Sequence, residues 1–472
     1  MHRTLPDPYR PPLAAALVAC LLLAGCTTPA AQDHALRQSA AERAGLALPA
    51  VDAGDASVLR QRVDELLANT LAREDAVKVA LLNNPGLAAR FAQLRIDAAE
   101  RVRASRPPNP SITLARLSRG DERENERGVS IDLLGLLTWP ATRGAANRAY
   151  EAAREDAVRD ALALTRDVRA AWTQAIAAEA ALRHAEAVRD AADTGRLYAE
   201  RLQRAGNASR LDALRAQAFF TDADLALADA RLAAQAAREH LALLLGLADA
   251  ARVKLPAELP QLPEQLLAAD DAEQRALDNR ADVRAAKAAA EAAGRALRIH
   301  RATRVVNVLE GGYHVSDSNQ DNTQRGFELS LELPLFDLGQ AGAAEARARQ
   351  DAAVARVLAV ANAARSETRL AWADYRRAHD SARRYRDDVL PLTSDISREM
   401  ILRHNGMLVG PFELLEQARA QAGATARWQA ALRDYWLADA QLAAALTGAG
   451  ATGLATPASE PAPDTPRPAG GH

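Results

Sequence analysis

Residues 80–87, ALLNNPGL, are repeated in altered form as residues 276–283, ALDNRADV, and this internal repeat is the main indication of the fold. After each copy come an Ala/Arg-rich helical stretch, two strand-like segments around a polar turn, a proline, and a long helical run. The offset of about 195 residues is far longer than the period of a small solenoid repeat. The sequence therefore predicts a duplicated, domain-sized unit.

The composition favours helices packed closely through small side chains. The 472-residue chain is 49% apolar but only 4% aromatic, and alanine is its prevailing apolar residue. Alanine-rich helix faces favour close helix–helix contact over a bulky globular core. The net charge of −2 gives no reason to expect a nucleic-acid partner. Arg and Asp/Glu are interspersed along the helical stretches, which is typical of solvated helix faces.

The N-terminus has the features of a secretory signal peptide over residues 1–25. Arg3 and Arg10 precede an apolar run at 13–23, which is too short to span a membrane as a helix. Residues 23–26, LAGC, look like a bacterial lipobox, which implies cleavage before Cys26 and acylation of its thiol. Thr27, rather than an aspartate, follows Cys26, and in lipoproteins of this kind that favours sorting to the outer membrane. The alternative is an ordinary signal peptide with an incidental cysteine; cleavage removes Cys20 in either case, so no disulfide or thiolate metal site is expected.

Proline and glycine divide the rest of the chain into segments. We expect a lipidated N-terminal segment at 26–69, a first repeat at 70–250, a proline-rich linker at 251–269, a second repeat at 270–448, and a disordered tail at 449–472.

Each repeat contains a candidate strand pair, at about 111–137 and about 304–335. In the second pair, apolar residues alternate with polar ones: Phe327, Leu329, Leu331 and Leu333 against Glu328, Ser330 and Glu332. Such alternation is typical of a membrane β-strand that has one lipid-facing and one polar face. A half-buried soluble hairpin shows the same pattern, and the residues leave the two alternatives open.

Each repeat also contains a long helical hairpin, at about 141–246 and about 340–447. The first outgoing helix would extend for about 100 Å before it turns at Gly206. The second turns at Gly406, and Pro391 is expected to kink its outgoing helix. Four strands cannot close a membrane barrel, and open edges are not tolerated in lipid. If the strands enter a membrane, chains must pool them, and three chains would supply about twelve.

At this point the chain resembles the TolC family of outer-membrane efflux ducts over residues 70–447. The resemblance rests on residues 80–87, on Pro108-Asn109-Pro110 before the first strand, and on LPLFDLG at 333–339. It implies a mainly α fold with a small β part, in which a trimeric, 12-stranded outer-membrane β-barrel continues into a periplasmic α-barrel. Ala281 departs from the proline usual at this place, and Trp139-Pro140 lacks the usual phenylalanine, which leaves local helix and strand ends open.

The resemblance also implies a function and partners. The chain would be a passive duct of a tripartite efflux pump, lipid-anchored in the outer membrane with a large periplasmic part. It would work with a periplasmic adaptor (membrane fusion) protein and an inner-membrane pump of the resistance-nodulation-division type. The exported substrate stays open among a drug, a metal ion, a dye and a protein.

The hairpin tips are the candidate docking sites for the adaptor. Ser209 and Asp212 have the spacing of a capping box, and Pro411 suits the first position of a helix. The candidate docking positions are Arg204, Gly206, Ser209 and Asp212 in the first tip, and Gly406, Val409 and Gly410 in the second.

Glu413 and Glu416 match positions where the family places acids around the closed periplasmic end. Three-fold symmetry would bring several carboxylates together and attract cations. The alternative is that acids in the first turn complement the helix dipole.

The sequence also bears on two other function classes. We expect no enzyme, cofactor or metal site, because no nucleophile elbow, phosphate loop or paired-ligand motif occurs and the histidines are scattered singly. The stronger rival is a lipid-anchored periplasmic coiled-coil adaptor or scaffold that does not span the membrane. An adaptor usually has one helical hairpin, whereas this sequence predicts two.

Overall fold

The computed structural model describes residues 29–47, 56–266, 272–306, 308–319, 323–332 and 338–450. The predicted signal peptide, the predicted acylation position Cys26, part of the linker, residues 333–337 of the LPLFDLG phrase, and the tail from residue 451 lie outside these ranges.

Both halves of the chain contain two helices, two strands and a long helical hairpin in the same order, and two further helices precede this unit in the first half. The first half contains α1 (Pro29–Arg43), α2 (Ala56–Ala68), α3 (Arg73–Asn83), α4 (Pro85–Ala104), β1 (Ser111–Arg119), β2 (Glu122–Asp132), α5 (Leu133–Arg204) and α6 (Arg210–Leu245). The second half contains α7 (Ala272–Asn279), α8 (Ala281–Thr303), β3 (Leu309–Ser318), β4 (Gln324–Leu331), α9 (Gln340–Arg384), a π-helical turn (Tyr385–Val389), α10 (Leu390–Asn405) and α11 (Pro411–Thr447).

The four strands form one antiparallel sheet in the order β1–β2–β3–β4. Strands β1 and β2 of the first pair continue through the charged segment 118–125 and pair as far as Arg119 and Glu122. The first strand of the second pair begins at Leu309, later than the predicted 304, because α8 continues to Thr303.

The predicted extension of the first strand pair to residue 137 is wrong, because residues 133–137 are helical. The Asp132 carboxylate caps α5 by accepting the backbone N–H of Gly135 at 2.8 Å. The leucines that follow, at 133, 134, 136 and 137, do not alternate with polar residues. Pro140 lies inside α5, although proline cannot donate the hydrogen bond that a helix interior requires.

The long hairpins lie side by side. Helix α5 packs against both α6 and α11, and α11 also packs against α9 and α10. Helix α4 lies along α5, and α8 packs on both α5 and α9. The interruption expected near Pro391 is present as the π-helical turn directly before it.

The core is built where the short helices meet the long ones. Trp172 of α5 and Phe91 of α4 are buried in the same core, and the Trp172 indole N–H donates to the Leu71 carbonyl at 2.9 Å. A second core contains Tyr375 of α9 and Tyr435 of α11, whose hydroxyls lie 3.2 Å apart. Burial raises the pKa of Tyr435, so this hydroxyl stays protonated.

The repeated phrase anchors the C-terminal end of each returning helix, but by different side chains. In the first half, the Asn83 amide donates to the Leu245 and Gly246 carbonyls, each at 2.9 Å. The Asn84 amide donates to the Leu244 carbonyl at 2.9 Å, and its oxygen accepts the Leu87 N–H to cap α4.

In the second half, the position of Asn84 is occupied by Arg280, which is completely buried. Its guanidinium donates to the Ala445 carbonyl at 2.9 Å, to the Asp282 carboxylate at 2.7 and 3.0 Å, and to Glu367 at 2.8 Å. Burial lowers the pKa of Arg280, but hydrogen bonds and charge from the two carboxylates outweigh it, so the net pKa is raised.

Candidate functional site

One face of the sheet carries a band of apolar side chains that are exposed to solvent. A row of matched register positions crosses all four strands: Ile112, Val129, Tyr313 and Phe327. Residues two positions along a strand share its face, so Leu114 and Leu329 widen the band. Leu114 is 75% exposed and Phe327 is 88% exposed. A contiguous exposed apolar patch of this kind marks a surface that contacts lipid or protein.

The opposite face of the sheet is polar. The hydroxyls of Ser111 and Ser130 lie 2.7 Å apart, and Ser316 donates to the Glu124 carboxylate. His314 lies on the same face, packed against Gly326, where a Cβ atom would come within 2.9 Å of the imidazole ring. The alternation predicted for β4 is thus present in the described residues, with Phe327 and Leu329 on one face and Glu328 on the other.

The described helices include none with the length and apolarity needed to cross a membrane.

The first hairpin tip is a left-handed turn followed by a capped helix. Gly206 has a φ of +78°, which favours glycine. The capping box predicted from the sequence is confirmed: the Asp212 N–H donates to Ser209 Oγ at 3.1 Å, and the Ser209 N–H donates to the Asp212 carboxylate at 3.3 Å. Arg204, in the last turn of α5, is exposed.

The second tip uses a different turn. Gly406 has a φ of −80°, and the left-handed position is taken by Met407, with a φ of +57°. The Met407 side chain is 93% exposed, and Leu408 beside it is also exposed. Gly410 precedes Pro411, which occupies the first helical position as predicted. The sequence missed Met407, because the neighbouring glycine was the expected place for a left-handed residue.

Glu413 and Glu416 both lie exposed near the start of α11. The Glu416 carboxylate is 3.5 Å from the Arg419 guanidinium, which in turn lies 3.7 Å from the centre of the Phe219 ring on α6. This cation–π contact joins the two hairpins, and no local sequence signal indicates it. The predicted gate needs carboxylates from three chains, so the role of Glu413 and Glu416 as a gate stays a prediction.

Within the described ranges, no group of three His, Cys, Asp or Glu side chains is arranged to hold a metal ion. The candidate site consists of the amphipathic sheet and the two exposed hairpin tips.

Residues 76–247 match the family model "Outer membrane efflux protein". The match covers most of the first repeat and confirms the resemblance drawn from the sequence. The family is one of outer-membrane efflux channels rather than enzymes. No curated protein matches this chain.

Solved structures of outer-membrane proteins share the fold. CusC matches with a TM-score of 0.67 and 19% identity, covering 80% of this chain and 92% of its own. A membrane protein from Pseudomonas aeruginosa matches with a TM-score of 0.67 and 22% identity, covering 83% and 94%. The Neisseria gonorrhoeae MtrE outer membrane channel, in its open state, matches with a TM-score of 0.65 and 20% identity, covering 82% and 90%. Identities this low establish the mostly helical channel fold and nothing finer.

Proposed function

We propose that this chain, which belongs by its first repeat and its fold to the outer membrane efflux proteins, forms the outer-membrane duct of a tripartite efflux pump. The observation that carries the proposal is the sheet, whose exposed apolar band backs onto a polar face. That pattern suits a strand set with lipid on one side and an aqueous lumen on the other.

The sheet supports a trimer. Strands β1 and β4 are its outer members within one chain, and unpaired backbone groups in lipid cost several kcal/mol each. Three copies, each adding four strands, would close a barrel of about twelve.

The helical layer supports the same assembly. Helix α6 packs mainly against α5 and exposes Leu225 and Leu232, seven residues apart. Helix α9 packs against α8 and α11 and exposes Leu358 and Leu370. Exposed leucines on a long helix, such as the heptad-spaced pair of α6, are suited to packing against a neighbouring helix. We therefore place α6 of one chain beside α9 and α10 of the next, so that the tube of helices continues the barrel.

Localisation and partners belong to the same proposal. Acylation of Cys26 would anchor the chain in the outer membrane, and the hairpins would extend into the periplasm. The tips would dock a periplasmic adaptor, which delivers substrates from an inner-membrane pump of the resistance-nodulation-division type. The exposed Met407 and Leu408 support a protein partner at the second tip, because large apolar side chains at a loop are costly without one.

Two neighbouring residues of β4 provide the decisive test. Leu329→Arg puts a charge on the apolar face, and Ser330→Arg puts the same charge on the polar face. We expect Leu329→Arg to cost about 2–4 kcal/mol of membrane insertion and to abolish the urea-resistant, heat-sensitive trimer, while Ser330→Arg leaves it intact. Equal behaviour of the two variants contradicts a lipid-facing sheet.

A Cys26→Ser variant distinguishes a protein that spans the membrane from one that is held there only by its acyl chain. The duct should stay in the membrane fraction through carbonate washing without its acyl chain. Release of the Cys26→Ser protein by the wash would instead favour the rival, a lipid-anchored periplasmic scaffold.

The gate proposal has its own test by single-channel recording. Replacing Glu413 and Glu416 together by alanine should raise conductance and reduce cation selectivity. Replacing Asp395 and Glu399 of α10 removes the same charge from the same hairpin and serves as the control. If conductance and selectivity stay unchanged when Glu413 and Glu416 are removed, these acids only complement the helix dipole.

A further inference from the structure

A cavity of about 660 Å³ lies between the two halves of the chain. The first half lines it with residues 43–45 and with α5, and the second half lines it with α7, α8 and α11. Its volume is within the range of small-molecule sites in proteins, roughly 300–1,000 Å³. None of the described residues that line it belongs to the sheet or to a hairpin tip, so the proposed duct makes no use of it.

The polar part of the cavity wall carries one sign of charge. We call it the arginine cavity, because five arginines line it: Arg43, Arg166, Arg169, Arg275 and Arg284. Among the described residues that line it there is no aspartate or glutamate. Elsewhere in this chain arginines and acids are interspersed along the helices, so such a wall is an exception. A concave surface lined by cations concentrates anions from solution.

Carboxylates outside the cavity wall compensate only part of this charge. Three of the arginines form ion pairs: Arg43 with Glu155 at 2.6 Å, Arg169 with Glu74 at 2.7 Å, and Arg166 with Asp167 at 2.7 Å. Within the described ranges, Arg275 and Arg284 form no ion pair, and Arg284 donates instead to the Asp278 backbone carbonyl at 3.2 Å. Both of these arginines are exposed. Two positive charges at the open side of the cavity are therefore uncompensated.

Arg169 provides a second, independent indication of a ligand. It is only 9% exposed. Its Nη2 donates to the Ala44 carbonyl at 3.2 Å and to Glu74 at 2.7 Å, but its buried Nε has no hydrogen-bond partner in the described part of the chain. A buried donor without a partner is costly, and more so on a charged group. An acceptor bound in the cavity that this side chain lines would relieve that cost.

The rest of the wall indicates what else the ligand carries. It is apolar and is formed by Leu162, Ala440, Ala443, Ala444 and Leu446. A single inorganic anion would fill only a small part of the cavity, so this wall suits a carbon group attached to the anion. The planar guanidinium fork matches the oxygens of a phosphate group. Two uncompensated charges match a phosphate monoester, which carries about −1.5 to −2 near pH 7.

We infer that the arginine cavity binds a phosphate monoester with an apolar group, its phosphate held by Arg275 and Arg284 and its apolar group against α11. A soluble phosphate ester and a lipid with a phosphomonoester headgroup share this chemistry. Because both halves of the chain line the cavity, the ligand would also hold the halves together. The inference does not rest on the proposed duct.

Calorimetric titration of the full-length protein, in non-ionic detergent and phosphate-free buffer, tests the site. The probe is phenyl phosphate, and we expect one molecule to bind per chain. Inorganic phosphate lacks the apolar group and should bind about tenfold more weakly, and phenol lacks the phosphate and should not bind measurably. If phenyl phosphate does not bind at millimolar concentration, or binds no better than phenol, the inference is wrong.

Two exposed arginines of α8 provide a matched pair of variants. Arg284→Gln removes a charge at the cavity, and Arg298→Gln removes the same charge from the same helix, fourteen residues or about 21 Å further along. We expect Arg284→Gln to weaken phenyl phosphate binding about tenfold to a hundredfold, because it removes a charge-assisted hydrogen bond. Arg298→Gln should leave binding unchanged, because salt screens charges beyond about 8 Å.

Arg284→Lys keeps the charge but loses the fork, so its affinity should lie between that of the native protein and that of Arg284→Gln. Equal weakening by Arg284→Gln and Arg298→Gln would mean that the phosphate responds only to net charge, and it would overturn the site.

Thermal unfolding checks where the ligand binds. Phenyl phosphate should raise the melting temperature of the native protein and of Arg298→Gln, because a ligand that binds only the folded state stabilises it. The melting temperature of Arg284→Gln should change much less. An equal rise in Arg284→Gln would place the ligand elsewhere and contradict the inference.

A lipid probe distinguishes the two sources of the phosphate ester. Dihexanoyl phosphatidic acid presents a phosphomonoester on a short-chain lipid. If it displaces phenyl phosphate and binds more tightly, the site takes a lipid headgroup; if only phenyl phosphate binds, the site takes a soluble ester. Both results support the cavity as a phosphate site, and binding of neither probe overturns it. Ion conductance enters none of these measurements, so the site and the duct can fail separately.

Discussion

The two halves of the chain solve the same problem with different chemistry. Each must hold the C-terminal carbonyls of a returning helix against the start of a short one. The first half uses the neutral amides of Asn83 and Asn84, and the second uses the buried guanidinium of Arg280 with two carboxylates. Each neutral hydrogen bond contributes about 1 kcal/mol to stability. When one is removed, the main further cost is the desolvation of the group that is left without a partner.

The charged anchor at Arg280 should respond differently to substitution. A buried ion cluster that is complete contributes little net stability, because removing the charges from water costs about as much as their attraction returns. A cluster that loses one member leaves uncompensated charge in the interior. The second half should therefore be the more sensitive to substitution at this anchor, although both anchors are intact in the native protein.

The largest expected effect comes from removing the guanidinium. Arg280→Ala should lower stability by about 3–5 kcal/mol, because Asp282 and Glu367 lose the cation they surround. The measurement is thermal or urea unfolding of the purified chain in detergent. The matched change in the first half, Asn84→Ala, should cost about 2 kcal/mol through loss of a cap and of one buried carbonyl partner. If Arg280→Ala loses less stability than Asn84→Ala, the charged anchor is not the more sensitive of the two.

A glycine pair sharpens the comparison between the anchor and the tip of the first hairpin. Gly246 and Gly206 both have a positive φ. A Cβ atom at Gly246 would lie 2.5 Å from the Asn83 carbonyl oxygen, whereas one at Gly206 would meet nothing within 4 Å. Gly246→Ala should cost about 3 kcal/mol, from the left-handed backbone plus steric overlap, and Gly206→Ala only about 1 kcal/mol. Unfolding of the two variants side by side gives the difference; equal losses would mean that the close approach at Gly246 relaxes freely.

The smallest effect should be a gain. Met407 holds the left-handed position that Gly206 holds in the first tip, so Met407→Gly should stabilise the isolated chain by about 0.5–1 kcal/mol. Leu408→Gly, at a neighbour without a positive φ, is the control and should give no gain. In the complete pump, Met407→Gly should weaken adaptor binding if the exposed side chain contacts the partner, which pull-down with purified adaptor would measure.

Predictions that rest on local sequence patterns are confirmed. Predictions are wrong where a single side-chain hydrogen bond, rather than hydrophobic periodicity, sets the end of an element. The alternation at 327–331 and the capping box at Ser209 are local signals, and the structure bears them out. The sequence predicts a strand to residue 137 and a helix only after Pro140, whereas the Asp132 cap begins the helix earlier. A cap is decided by one hydrogen bond, which hydrophobic spacing does not reveal.

Tertiary contacts were beyond the reach of the sequence. Arg280 stands where the repeated phrase has asparagine, and nothing local indicates that Glu367, 87 residues away, completes its cluster. The contact of Arg419 with Phe219 also joins distant segments, so only the packing of the two hairpins creates it. Glu413 and Glu416 remain a prediction, since a gate of several chains leaves no sign within one.

The Arg280 cluster has a consequence for how the two halves can evolve. If both descend from one ancestral unit, the change from amide to guanidinium must have come with acidic partners. The change is now hard to reverse by single steps: restoring asparagine at 280 strands Asp282 and Glu367, and removing the acids first strands a buried arginine. We therefore expect each one-residue step to pass through a less stable protein. The cluster thus makes the difference between the two halves hard to reverse. Their long hairpins can then diverge separately.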